Sequence, residues 1–374
     1  MINLLSIVTD IKGVCMKRLL KILLAVVLAA VAALAFACGG SDNEKGTPGL
    51  HYMKFKGDDF YTVYGYVDDG KTSSLDIGKI ADEKGVVIGR IKTGSFEGNS
   101  SLKEIIVPVT VKEIDAGAFH GMESLEKITL PFVGAGAKSD AFDGETAKSE
   151  DKITDAKRSF GYVFGTESYT AGAEVSQSYG SGDAVKYYLP NSLTEVTVSP
   201  AENYSVPMYA FYGCAQLYTV NLGEKVVAIG EKAFYNCANL VTVNFSANVK
   251  NIYNSAFEGC SSLKDYNAEK KIGLNFNGCA FEKIGEKAFY KTELKTVDLT
   301  VEEIGASAFA ESKVESLKLT VKTIGAYAFY KCEKLSSVTI TAKTGAKMYA
   351  SSFGECKKAE ADLSSVSGLF EIIK

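Results

Sequence analysis

An I-G-x-x-A-F-x-x-C-x-x-L motif returns along this chain every 20 to 24 residues wherever its copies run uninterrupted, and no other feature restricts the fold so tightly. The copies read "IKTGSFEGNSSLKEIIV", "IDAGAFHGMESLEKITL", "VPMYAFYGCAQLYTVNL", "IGEKAFYNCANLVTVNF", "IYNSAFEGCSSLKDYNA", "IGEKAFYKTELKTVDL", "IGASAFAESKVESLKL" and "IGAYAFYKCEKLSSVTI", with a worn copy at "YASSFGECKKAEADL". Their aligned phenylalanines are Phe96, Phe119, Phe211, Phe234, Phe257, Phe289, Phe309, Phe329 and Phe353. A unit this small cannot cover its own apolar groups, whereas stacked neighbours cover them for one another.

Within one copy, Leu240, Val243 and Phe245 are interleaved with Thr242 and Asn244, the period of a strand with one buried face. Strands of successive copies should pair in parallel about 4.8 Å apart. Ile229-Gly230 is expected to turn the chain, and Ala233-Phe234 to return an aromatic to the interior, where the phenylalanines stack as a ladder. The period and the L-x-x-V-x-L core indicate an α/β repeat solenoid dominated by short parallel strands. In this reading it is a right-handed leucine-rich-repeat solenoid with short helical or 3-10 turns on the other side.

The repeated pattern resembles the BspA-like leucine-rich repeats of bacterial surface proteins, a group that includes treponemal leucine-rich-repeat proteins. The resemblance spans roughly residues 60–355. The stretch "FGYVFG" (160–165), the polar insertion after it and "VKYYLPNSLTEVTVSP" resemble an interruption common in that family. The resemblance implies a solenoid at the cell surface, with adhesion or host-protein binding as the usual role and no catalytic residues to carry over.

Residues 1–37 read as an export signal: Lys17, Arg18 and Lys21 precede an apolar run from Ile22 to Ala37. The run is shorter than the roughly 20 residues that span a bilayer. Met16 heads the basic region directly, and a start there would leave residues 1–15 untranslated. Ala35 and Ala37 fit cleavage after an A-x-A pattern and simple secretion. The segment also resembles a bacterial lipobox, which implies lipidation of Cys38, although Ala35 and Phe36 depart from the usual residues. Residues 38–50 read as a flexible tether and 51–374 as the solenoid, capped by a strand pair from "DFYTVYGYVDD" and "GVVIGRIKTGSF". Residues 134–189 read as inserted loops, with part of 166–184 mobile, and 264–283 as a distorted extra coil.

A hydrophobic fraction of 46% excludes a disordered chain. Without residues 1–37 the chain loses four basic residues and one acidic, so 37 basic face 44 acidic, a net charge of −7. No basic patch argues for a nucleic-acid partner. Of the two histidines, His51 lies in the tether region and His120 at a variable repeat position, which leaves no nucleophile-His-acid set, no His metal site and nothing that requires a cofactor. Cys214, Cys237, Cys260, Cys332 and Cys356 each follow a repeat Phe by three residues. An exported chain could join them as disulfides, but the same position holds Asn99, Met122, Thr292 and Ser312, which favours buried thiols. Cys279 lies off the pattern, and no C-x-x-C pairing supports zinc. Tyr212, Tyr235, Tyr290 and Tyr330 follow the repeat Phe, either as an aromatic row that grips glycan or protein or as half-buried covers over the turns.

A ligand face is argued from strand positions that cannot point inward: Lys127 and Thr129, Glu195 and Thr197, Thr219 and Asn221, Thr242 and Asn244, Thr296 and Asp298, Ser316 and Lys318, Ser337 and Thr339. This row is polar, small and weakly charged, and suits broad binding better than catalysis; serine and threonine are also ordinary exposed strand residues. The expectation is a non-catalytic cell-surface protein, held at a membrane by a lipid anchor, that binds an extracellular protein or glycan. The alternative is a passive scaffold that presents the 134–189 loops.

Overall fold

The structure, a computed structural model, describes residues 47–136, 156–178, 184–276, 278–359, 366 and 368–374. The export signal, Cys38, most of the tether and part of the 134–189 insertion lie outside the described residues. The expected strands form one parallel strip of Ser74–Asp76, Glu104–Ile106, Lys127–Leu130, Glu195–Val198, Thr219–Leu222, Thr242–Asn244 and Leu274–Asn275. A second strip comes from the apolar stretch ahead of each I-G pair, which sequence alone assigned to the turn. It contains Tyr204–Val206, Val226–Ile229, Asn251–Ile252 and Ala280–Ile284. From Thr296 onward both positions lie on one strand, so Thr296–Ile304 and Ser316–Ile324 pair without interruption from Thr296↔Ser316 to Ile304↔Ile324. A single buried cluster runs the length of the stack, from Leu50 to Phe370.

The regular turns on the remaining side are not set by the I-G glycine, and short 3-10 helices occur at Phe160–Val163 and Lys357–Ala359. In the regular coils the chain bends through left-handed residues two before and two after the Phe, such as Lys232 and Asn236, Lys287 and Lys291, or Ser307 and Glu311. That alternation aims every second N–H along the stack. Lys232, Phe234 and Asn236 donate to the carbonyls of Asn254, Ala256 and Glu258 in the next coil at 3.0, 2.8 and 2.9 Å. Coils are thereby joined a third time, without a strand, and the rings between these bends are held in contact. Phe211, Phe234, Phe257, Phe289, Phe309, Phe329 and Phe353 stack at centroid distances of 4.9 to 5.3 Å and interplanar angles of 2° to 12°. Phe160 and Phe164 carry the column through the irregular coil, between Phe211 at 4.8 Å and Phe119 at 6.1 Å.

At the N-terminal end the expected pair forms: Tyr61–Val67 lies parallel to Ile88–Ile91. Part of the expected tether joins it, because Gly49–Met53 pairs antiparallel with Tyr61–Val67 and buries Leu50, His51 and Tyr52. An unanticipated helix, Ile77–Lys84, starts at Asp76, whose side chain accepts from the Lys79 N–H at 3.0 Å, and stops at left-handed Gly85. It lays Ile77 and Ala81 on the core.

Two interruptions differ from expectation. Largely within the stretch read as inserted loops, Gly172–Ser178 and Ala184–Pro190 form an antiparallel hairpin. The fully buried Gln177 fastens it: its Oε1 accepts from the Gly161 N–H, and its Nε2 donates to the Ala210 carbonyl at 3.0 Å. Residues 264–283 make no extra coil. Asn267 and Ile272 pair across a short turn, and Leu274–Asn275 then takes the strand position beside Val243 and Asn244, so one coil is enlarged.

Candidate ligand face

Register places the proposed face residues in two straight rows. Ser74, Glu104, Lys127, Glu195, Thr219 and Thr242 form one, and Asp76, Ile106, Thr129, Thr197, Asn221, Asn244 and Asn275 the other. Their side chains join coil to coil. Lys127 Nζ lies 3.1 Å from Glu195 Oε2, Asn221 Nδ2 donates to Glu195 Oε1 at 3.0 Å and to Thr197 Oγ1 at 3.2 Å, and Asn244 Nδ2 donates to Asn221 Oδ1 at 2.7 Å. Each such exposed contact contributes under about 1 kcal/mol, but together they hold the polar groups in a fixed lattice.

The structure corrects the expected face twice. Thr242 is not on the surface: it is 1% exposed, and its Oγ1 accepts from the Gly273 N–H at 3.1 Å, because the enlarged coil folds over it. The face is also not continuous. Thr296, Ser316 and Ser337 align, as do Asp298, Lys318 and Thr339, yet among the described residues no ladder joins Leu274–Asn275 to Thr296–Ile304. Two polar blocks therefore flank a gap.

The other singled-out side chains are occupied by the fold itself. His51 Nε2 lies 2.6 Å from the Thr47 carbonyl, and His120 Nδ1 lies 3.2 Å from that of Phe164. Tyr212, Tyr235, Tyr290 and Tyr330 are half-buried, as covers over the turns would be. Tyr212 and Tyr235 stack at 5.0 Å, and Tyr290 donates to Glu311 Oε1 at 2.8 Å. Among the described residues no three His, Cys, Asp or Glu side chains gather as a metal site, and no helix is long and apolar enough to cross a membrane.

Cys214, Cys237, Cys260, Cys279, Cys332 and Cys356 are free and buried. The thiols of Cys237, Cys260, Cys332 and Cys356 donate to the carbonyls of Phe211, Phe234, Phe309 and Phe329 in the coil before, at 3.0 to 3.2 Å. They act as hydrogen-bonding links between coils. Burial pushes the Cys332 thiol up to about 12 and that of Cys356 up to about 11. A thiol that ionises later in the folded chain than in the unfolded one, where it titrates near about 8.5, stabilises the fold below that value. The contribution is lost as pH rises toward the folded value. The urea midpoint should therefore fall between about pH 9 and pH 11, and a Cys332→Ala, Cys356→Ala variant should show a shallower fall. Equal slopes in the two proteins would contradict this.

The geometry defines a parallel-stranded repeat solenoid with a polar strand face. Residues 86–164, 185–283 and 274–368 match, in six copies, the family described as BspA type leucine rich repeat region, and the chain belongs to that family. Among solved structures it is similar to a leucine-rich repeat protein from Bacteroides ovatus, at 17% identity over 84% of this chain and 81% of that one, with a TM-score of 0.32. It is also similar to a leucine rich cell surface protein from Faecalibacterium prausnitzii, at 17% identity over 87% and 88%, TM-score 0.31, and to the T. pallidum leucine rich repeat protein, at 17% identity over 88% and 98%, TM-score 0.27. No curated protein matches the chain.

Proposed function

We propose that the chain is an exported, non-catalytic surface protein that binds an extracellular host or matrix protein across the polar block around Thr129, Thr197, Thr219 and Asn221. The observation that carries this reading is the register: these side chains align across successive coils, and Asn221 donates to both Glu195 and Thr197 of the coil before it. A broad, preordered surface of this kind loses little entropy on docking a large partner. Family membership supports a surface or interaction role. Export through residues 1–37 and attachment to a membrane through lipidated Cys38 belong to the same proposal; Cys38→Ser should move the protein from the membrane fraction to the medium, and an unchanged fraction would refute the anchor.

The binding test uses Thr129→Lys combined with Thr219→Lys against a panel of extracellular-matrix proteins by surface plasmon resonance. Both positions are half-exposed, and exposed substitutions change stability by under about 0.5 kcal/mol. Affinity should fall by roughly tenfold or more, about 1.4 kcal/mol, with an unchanged melting temperature. The scaffold alternative draws on the hairpin fixed by Gln177. Deleting 166–184 would remove that anchor, so the hairpin is probed by Glu174→Lys, an exposed change. Loss of binding in Glu174→Lys alone would move the site to the insertion, and no binding by the wild type would leave the scaffold reading.

A further inference from the structure

The gap between the two polar blocks is a cleft of about 580 Å³, lined by Asp265, Tyr266, Asn275, Phe276, Thr296 and Asp298 over a floor that includes Leu274 and Cys279. Its size falls within the roughly 300–1,000 Å³ of ordinary small-ligand sites. It exists because the strand Leu274–Asn275 has only two residues and the next coil's strand, Thr296–Ile304, pairs on that side only from Thr300, opposite Ala280. Asp265 closes one end, since its carboxylate accepts the Lys295 N–H at 2.8 Å and the Thr296 N–H at 3.1 Å.

We propose that this cleft is a glycan-binding site for an uncharged hexose unit. This inference rests on the reading of the chain as a surface binding protein but uses a different part of the face. A hexose presents a C–H face and a rim of hydroxyls, and the cleft offers a counterpart to each. Tyr266 is 38% exposed and Phe276 half-buried, so two aromatic side chains line the cleft where a sugar ring could rest. Asn275 brings a side-chain amide, Thr296 and Thr300 bring hydroxyls, and Asp298 brings a carboxylate acceptor. Asp298 is paired with Lys318 Nζ at 3.0 Å, which adds a donor beside it. Against that one lysine stand Asp265 and Asp298, so a sulfated or carboxylated sugar meets repulsion. A peptide fits worse: only Val297 to Leu299 lies between the Asp265 stopper and the pairing at Thr300, too short a run for an added strand.

Saturation-transfer NMR and calorimetry on the full chain, with lactose, cellotetraose, mannotetraose and 3′-sialyllactose as probes, test the proposal. At least one neutral probe should bind saturably, with sialyllactose weaker. Tyr266→Ala and Asp298→Asn, both at exposed positions, should each reduce affinity by roughly tenfold, while Tyr212→Ala, on the turn side, should have no effect. Circular dichroism melts check that the variants fold. Absence of saturable binding to every neutral probe, preference for sialyllactose, or undiminished binding by both cleft variants would overturn the site. Matrix-protein binding that disappears in the Thr129→Lys, Thr219→Lys variant while no neutral sugar binds would leave the protein-binding reading intact and overturn the sugar site; saturable sugar binding lost in Tyr266→Ala, with no matrix protein bound, would do the opposite.

Discussion

Phe234→Ala is expected to lower unfolding free energy by about 3–5 kcal/mol, the usual cost of emptying a buried aromatic site. Phe234 is fully buried between Phe211 at 4.9 Å and Phe257 at 5.0 Å, its ring stacked nearly parallel to both. Its neighbours cannot close the gap, because the N–H groups of Lys232, Phe234 and Asn236 fix the turn to the next coil. The effect should extend beyond one residue. In a solenoid each coil is stabilised mainly by the two beside it, so a void at Phe234 weakens coupling between the coils on either side, and the urea transition should broaden as well as shift. Tyr235→Ala supplies the comparison. Its ring is half-buried and stacked on Tyr212 at 5.0 Å, and loss of such a pair costs about 0.5–1.5 kcal/mol beyond the area uncovered. Equal losses in the two variants would show that the tyrosine row is core.

What could be read beforehand was whatever repeats. The Phe column, the L-x-x-V-x-L strand and the burial of the third-residue cysteines follow from one period, because a position that recurs in every coil meets the same neighbours in every coil. The second strand was legible in part: Val226, Ala228 and Ile229 turn their side chains to the core, but a run of two to four residues ahead of a glycine looks like the approach to a turn. Thr242 shows where periodic reasoning stops. Its alternation with Val243 is that of an outward residue, and it is buried by Gly273, thirty-one positions along, in the coil enlarged at 264–275. The cleft beside Tyr266 has the same origin, since it arises from a departure from the repeat. Asp76, Ile77, Ala81 and Gly85 did carry a helix signal, an N-cap, an apolar i, i+4 pair and a C-terminal glycine. Gln177 carried none: a glutamine in a Ser/Gly-rich stretch looks solvated until the carbonyl of Ala210 is brought to it.

Gly305→Ala should also destabilise strongly, at the upper end of the roughly 1–3 kcal/mol that overpacking costs or above it, for a reason unlike the one the sequence suggests. The I-G pair reads as the point where the chain turns, and a glycine at a turn commonly takes a left-handed conformation. Gly305 shows no such angle, and the left-handed position belongs to Ser307. What Gly305 lacks is room: a Cβ there would stand 2.7 Å from the Glu286 nitrogen and 2.7 Å from the Gly285 carbonyl carbon. These are backbone atoms of the preceding coil, fixed by the 2.7 Å bond from the Gly305 N–H to the Ile284 carbonyl. Gly325 bears on Gly305 in the same way, since a Cβ added at Gly325 would fall 2.7 Å from the Gly305 carbonyl carbon. A methyl group at Gly305 must therefore push two coils apart, and that weakens the strand pairing and the Phe289–Phe309 contact at 5.1 Å together. Gly98→Ala separates the two explanations. Gly98 is left-handed, with φ of 70°, and a methyl group added there would meet no atom within 4 Å, so it should lose only the about 1–2 kcal/mol of backbone strain. Thermal and urea unfolding of both variants decide the matter: a Gly305→Ala protein as stable as Gly98→Ala would mean that the coils can separate freely, and that close glycine contact is not what sets their spacing.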